Sequence, residues 1–275
     1  MRASYHTHSR YCDGKGNLED YVQRALELKW KVLGFSAHAP LPFETEWTLK
    51  KEDLPLYLKE AFMLKEKYKN EIQLYVGLET DYIKDTDINI PEGLDYYLFS
   101  VHYVRTEKND RLIPVDGPFD MVEKGIQECY DGDGKAYTVD YYSQYREMIR
   151  NKRPVLSGHL DLLKKNNKNN FIFNEQESWY KDEVEKTLKT VKEFGCILEI
   201  NTGGLSRKYT DTAYPSPWII EIMKEMEIPI VLNSDAHNPL WLDTAYGETE
   251  ELLKKIGYKT QRALYDGIWQ DVPIG

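Results

Sequence analysis

Residues 32–38 read Val32-Leu33-Gly34-Phe35-Ser36-Ala37-His38. A short uncharged, largely apolar run of this kind predicts a buried strand over 32–37. The residue that ends it, His38, is a histidine.

The pattern repeats on both sides. Residues 72–78, 94–101, 154–157, 196–200 and 228–233 are further short apolar runs, and a brief segment before His6 is a candidate seventh strand. Helical spacing fills the intervals. It predicts helices over 17–29, with Asn17 as N-cap, and over 53–69, 118–129, 138–150, 176–194, 216–226 and 248–256. Alternating strand and helix implies parallel pairing through right-handed crossovers. Seven such units suggest a (β/α) barrel with one unit fewer than the common eight.

The strand ends carry the chemistry. The chain has six histidines. His6 and His8 follow the first strand, His38 ends the second, His102 the fourth and His159 the fifth. Glu79 ends the third strand, and Asp235 and His237 end the seventh. In parallel barrels these C-terminal strand ends form one active face. Residues two apart on extended chain point the same way, so His6 with His8, and Asp235 with His237, can each offer two ligands. Imidazole and carboxylate together suit Zn, Mn or Fe. With Asp13 added, the set exceeds what one ion needs and fits two or three ions, an arrangement used for phosphoryl chemistry.

Composition bounds the remaining classes. Of 275 residues, 41% are hydrophobic and 30% charged, which reads as globular. Neither internal repeat nor linker divides the chain, so one domain over 1–275 is expected. The net charge of −10 argues against nucleic acid held by a basic surface. A small phosphate monoester needs only a local pocket. The start of the chain has no apolar signal segment, and no run of about 18 apolar residues exists. Cys12, Cys129 and Cys196 form no disulfide framework. No membrane association and a reducing cytoplasm are therefore expected. Residues 103–135 are long and polar and read as a lid or insertion, and 164–170 as an exposed loop.

The motif His6-Thr7-His8-Ser9-Arg10-Tyr11-Cys12-Asp13-Gly14 resembles the HxHSxxSDG opening of the PHP superfamily (polymerase and histidinol phosphatase), with Cys12 where Ser is usual. Ser36-Ala37-His38, Gly77-Leu78-Glu79, Ser100-Val101-His102, Ser157-Gly158-His159-Leu160-Asp161 and Ser234-Asp235-Ala236-His237 match later motifs in order. The resemblance implies a distorted (β/α)7 barrel with a trinuclear metal site. It groups His6, His8, Glu79 and Asp235 on one ion. Glu79 bridges to a second ion with His102 and His159, and Asp13, His38 and His237 hold the third. Glu199-Ile200-Asn201-Thr202-Gly203-Gly204-Leu205 and Tyr214-Pro215-Ser216-Pro217 are similar to the monofunctional histidinol-phosphate phosphatases of that superfamily. The implied reaction is hydrolysis of L-histidinol phosphate in histidine biosynthesis. Other phosphoesterases acting on nucleotide or sugar phosphates share the metal motifs. A non-catalytic metal-binding accessory module is the alternative of a different class.

In the implied reaction, metals activate water for attack on phosphorus. No side-chain nucleophile is required, and Cys12 reads as a packed thiol. Arg207 is the foremost phosphate partner, since a guanidinium grips two oxygens at once. Lys164 and Arg105 are further cationic candidates, and Asn201 could orient water or substrate. The leaving group's proton comes from Asp235 or a metal-held water. Glu107, Asp110, Asp116 and Asp161 are candidates to face the substrate's amine and imidazole.

Overall fold

The computed structural model of the chain describes residues 1–107 and 110–275. Three strands open the sheet: β1 (Val32–His38), β2 (Gln73–Asp81) and β3 (Tyr96–Ser100). A small antiparallel hairpin follows, β4 (Tyr103–Arg105) and β5 (Leu112–Pro114). Then come β6 (Leu156–Ser157), β7 (Ile197–Asn201) and β8 (Ile230–Asn233). The main sheet is parallel throughout, in the order β1-β2-β3-β6-β7-β8.

Residues 4–8 close this sheet into the distorted (β/α)7 barrel. On one side Gly34 and Ser36 donate backbone N–H bonds to the carbonyls of Ser4 and Thr7, at 2.7 and 3.1 Å. On the other, His8 donates to Ala236 at 2.9 Å. The expected seventh strand is thus a stave with a single parallel bridge, Thr7 to Ala236. Side chains replace the missing ladder: Asn233 Oδ1 accepts the Tyr5 N–H at 2.8 Å, and Ser36 Oγ accepts that of Thr7 at 2.9 Å.

Among the described residues eight α-helices connect the strands: α1 (Leu18–Glu27), α2 (Leu54–Lys67), α3 (Phe119–Tyr130), α4 (Gly134–Lys152), α5 (Ser178–Phe194), α6 (Gly203–Ser206), α7 (Pro217–Glu225) and α8 (Tyr246–Ile256). The Asn17 N–H, just ahead of α1, donates to Asp20 Oδ2 at 2.7 Å, satisfying a donor at the helix start. Residues 103–135 therefore hold the hairpin β4-β5 and helix α3 rather than open loop. Residues 108 and 109 of that stretch lie outside the described set. Among the described residues no helix is long and apolar enough to cross a membrane.

The two-residue period of the strands sorts side chains into two cores. Leu33, Phe35 and Ala37 of β1, Leu74, Val76 and Leu78 of β2, and Leu198 and Ile200 of β7 face the helices. The alternate positions Val32, Tyr75, Tyr96, Leu98, Leu156, Ile197 and Val231 fill one end of the barrel interior. Tyr96 spans that interior. Its hydroxyl is 2.8 Å from the carbonyls of both Tyr5 and Phe35. Its ring lies where a Cβ on Gly77 would sit, 2.6 Å away, so only glycine admits it.

A terminal hairpin, β9 (Thr260–Tyr265) and β10 (Ile268–Pro273), was not anticipated from the sequence. It packs Leu264 and Trp269 onto the interior apolar cluster. The barrel floor is thereby apolar and covered, and the strand C-termini face the other way.

Candidate metal centre

The interior parity that is apolar at the floor turns polar toward the strand C-termini. On β2 it runs Tyr75, Gly77, Glu79, Asp81, and on β1 it ends at Ser36 and His38. All nine ligand-type residues expected from the sequence gather there. Four overlapping groups form, each with ligand atoms within 4.8 Å of one another: His8, Asp13, His38 and His237; His6, His8 and Asp235; His6, Glu79 and His159; and His38, Glu79 and His102.

Glu79 is the hub. Its Oε2 lies 2.9 Å from His6 Nε2 and 3.0 Å from His38 Nδ1. Its Oε1 lies 3.0 Å from His159 Nε2 and 3.4 Å from His102 Nε2, and accepts the Ser100 hydroxyl at 2.6 Å. Asp235 Oδ1 is 3.2 Å from His8 Nε2 and 3.4 Å from His237 Nδ1. Asp13 Oδ2 is 3.2 Å from His237 Nε2. The His8 ring is stacked between those of His38 and His237, at centroid separations of 4.2 and 4.1 Å.

These residues fit metal ions. His8 Nε2, His38 Nδ1 and His159 Nδ1 are buried without a hydrogen-bond partner. Buried polar atoms are rarely left so, and ion coordination is one way to satisfy those that face a shared centre. Burial, with His237 and His38 beside it, holds the His8 imidazole well below its usual range and therefore neutral, the form that ligates. Burial alone would favour protonated Glu79. The charges of His6, His38 and His102 overcome it and hold the carboxyl well below the carboxylate range. Asp235 is held down likewise against its burial, chiefly by Arg207 and His6.

The cationic candidates separate. Arg207 joins the centre: Nη2 donates to Asp235 Oδ2 at 2.7 Å, and Nη1 lies 2.6 Å from His237 Nδ1. Its Nε is buried without a hydrogen-bond partner. Asn201 also joins, donating to Asp235 Oδ2 at 3.3 Å and accepting the Gly203 N–H at 2.7 Å. Lys164 is bonded to other groups. Its ammonium bonds Ala213 O at 2.8 Å, Ser216 Oγ and Thr212 Oγ1, and pairs with Asp161 at 3.2 Å. Arg105 is likewise engaged elsewhere, with Asp110 and with Thr86 Oγ1 at 2.7 Å.

Within the stretch 164–170, residues 168–170 are exposed as expected and 164–167 are not. The stretch forms two 3-10 turns, and buried Asn166 donates to the carbonyls of Val115 and Gly117.

Sequence reasoning missed Glu199, Asp81 and Trp47. Glu199 lies 2.6 Å from His6 Nδ1, Asp81 Oδ1 lies 2.9 Å from His102 Nδ1, and the Trp47 ring packs edge-on against His38 and His102. The signal for Asp81 was its place two residues beyond Glu79 on one strand. Cys12 Sγ sits 3.5 Å from His8 Nδ1, and burial pushes its thiol up to about 12, so it is a neutral packing partner rather than a nucleophile.

Of the acidic candidates for substrate, Glu107 pairs with Lys84, Asp110 with Arg105 and Asp161 with Lys164. Asp116 alone among these lines a cavity of about 850 Å³, with Phe119, Lys165, Phe171 and Tyr209. Against its burial, the Lys165 ammonium at 3.3 Å holds its carboxyl low, with smaller help from His102 and His159.

Known proteins share this architecture. The PHP domain model matches residues 4–203. A Bacillus subtilis protein named histidinol-phosphatase is 29% identical over 84% of this chain and 92% of its own length. HisK of Listeria monocytogenes superposes with a TM-score of 0.75 at 22% identity, covering 90% of this chain and 99% of that one. A histidinol phosphate phosphatase of Lactococcus lactis, solved with zinc, L-histidinol and phosphate, superposes with a TM-score of 0.73 at 20% identity, covering 98% of each chain.

Proposed function

The chain belongs to the PHP domain family, and from that premise we propose that it is a metal-dependent phosphate monoester hydrolase converting L-histidinol phosphate and water into L-histidinol and phosphate. The observation that carries this reading is the convergence of nine nitrogen and oxygen ligands on one strand-end face, with a buried guanidinium beside them. The Bacillus relative and the Lactococcus complex point to the substrate.

In this reading the centre takes three divalent ions, Zn, Mn or Fe. His6, His8, Glu79 and Asp235 would hold one. Glu79, His102 and His159 would hold the second, and Asp13, His38 and His237 the third. When bound, such ions supply Lewis-acid charge for phosphoryl oxygens and a nucleophilic water near neutral pH.

The chain's own groups do the rest. Arg207 fixes Asp235 and His237 through its two terminal nitrogens and has Nε–H left for a phosphate oxygen. Asp235, ionised beside that guanidinium, would serve as an acceptor. Asn201 holds Asp235 from the other side. The cavity bounded by Phe119, Phe171 and Tyr209 would seat the imidazole between aromatic walls, and Asp116 would face the amine.

Phosphate release from histidinol phosphate and from p-nitrophenyl phosphate, with elemental analysis of the same sample, tests this reading. Turnover of histidinol phosphate no faster than of the aryl ester would sink the substrate assignment. Metal-dependent release surviving Asp235→Asn combined with His237→Ala would sink the site. Asp116→Asn should raise KM for histidinol phosphate about 10-fold and leave the aryl ester nearly unchanged.

A further inference from the structure

Two buried carboxylates outside the nine ligands touch them. Glu199 Oε1 lies 2.6 Å from His6 Nδ1 and accepts Asn233 Nδ2 at 2.9 Å. Its Oε2 accepts the His159 backbone N–H and Asn201 Nδ2, both at 2.9 Å. One side chain, 1% exposed, thus gathers donors from the first stave, the end of β6, β7 and β8.

The hydrogen-bond inventory then decides where the His6 proton lies. An ionised carboxylate only accepts. Nδ1 of His6 must therefore carry the proton it shares with Glu199. The same inventory gives Nε2 a proton in the metal-free chain, directed at Glu79 Oε2 at 2.9 Å with Asp235 Oδ1 at 3.5 Å, and an ion would take that proton's place while Nδ1 keeps its own. A position facing two acceptor carboxylates suits a cation.

Asp81 repeats the device on the next strands. Its Oδ1 lies 2.9 Å from His102 Nδ1 and accepts the His102 backbone N–H at 3.2 Å. His102 Nε2 is left facing Glu79 Oε1 at 3.4 Å. His159 differs: its Nδ1 has no hydrogen-bond partner.

We propose that Glu199 and Asp81 are positioning residues of the metal centre, each holding one histidine in the tautomer and orientation that offers Nε2 to an ion. The proposal rests on the metal-centre reading above. Partners of this kind fix the imidazole and raise its basicity, and their loss costs about 10- to 100-fold in metal affinity.

The test titrates Zn2+ or Mn2+ into chelator-stripped full-length protein, wild type, Glu199→Gln and Asp81→Asn, with circular dichroism to verify the fold. Each variant should lose about 10- to 100-fold in affinity for one ion per chain and keep the remaining binding. Wild-type affinity and stoichiometry in both variants would overturn the proposal while leaving the centre intact. A wild-type protein that binds no divalent ion would instead overturn the centre itself. Should neither variant fold, nitrogen-15 spectra of the zinc-loaded wild type decide. His6 and His102 should each show a protonated Nδ1 and a zinc-shifted Nε2, and a zinc-shifted Nδ1 on either would reject the assignment.

Discussion

Gly203 has no room for a methyl group. A Cβ there would lie 2.5 Å from Asp235 Oδ2 and 2.7 Å from Arg207 Nη2. Gly203→Ala should therefore displace both groups and lower kcat on histidinol phosphate about 100-fold, the scale expected when reacting groups shift by about 1 Å. Steady-state kinetics on the folded variant would check this. Cys12→Ser should behave in the opposite way. A hydroxyl accepts a hydrogen bond from His8 Nδ1 at least as well as the neutral thiol does, so activity within about twofold of wild type is expected. An inactive but folded Cys12→Ser would restore the case for a cysteine nucleophile. At this scale, residues ending strands were legible because parallel topology sends every such end to one face. Glu199 was not, because a buried carboxylate in mid-strand declares its role only once its partner from another strand is in view, whereas Asp81 at the end of β2 was readable from its place two residues beyond Glu79. The surroundings of Lys164 were hidden for the same reason as those of Glu199: charge near a histidine motif says nothing about the carbonyl and hydroxyls that its ammonium bonds.

Strands and helices were the most legible level, since both periodicities are local. Among the described residues the six strands of the main sheet and seven of the eight α-helices lie where the apolar spacing placed them. The shorter α6 carries no amphipathic repeat to read. The first stave was harder, because its backbone is held by Asn233 and Ser36 side chains that no pattern within residues 4–8 reveals. The terminal hairpin was readable and overlooked. Asp266-Gly267, both at positive φ, is a two-residue hairpin turn flanked by strand-forming residues. Tyr96 tests the element level. Tyr96→Phe keeps the ring across the barrel but removes the hydroxyl between two buried carbonyls. A loss of about 1–3 kcal/mol in denaturant unfolding is expected, with metal stoichiometry unchanged.

For the whole molecule, the charge at the centre links stability to pH. In chelator-stripped protein the His102 imidazole is raised to about 10 by Asp81 and Glu79 despite its burial. A raised histidine stabilises the fold fully below its unfolded value of about 6.5, and that contribution is lost as pH rises through the folded value. Glu79 and Asp235 are lowered, so their contribution is already complete above the unfolded carboxylate range and does not offset the loss. The stripped protein should therefore melt at progressively lower temperature from about pH 6.5 to 10. Metal-loaded protein should fall less, and calorimetry of the two forms would show the gap widening with pH. An equal slope for both would reject this account.

The covered floor has a consequence for traffic. Tyr96, Leu264 and Trp269 shut the barrel at the end away from the ligands, so substrate and both products share one mouth. With the contacts proposed above, the ester would enter phosphate first, and its alcohol half would rest nearer the opening, among Asp116, Phe119 and Tyr209. The alcohol would then leave before the phosphate beneath it. Free phosphate should therefore compete with the incoming ester, whereas added alcohol should meet a form that still holds phosphate and slow turnover without matching that competition.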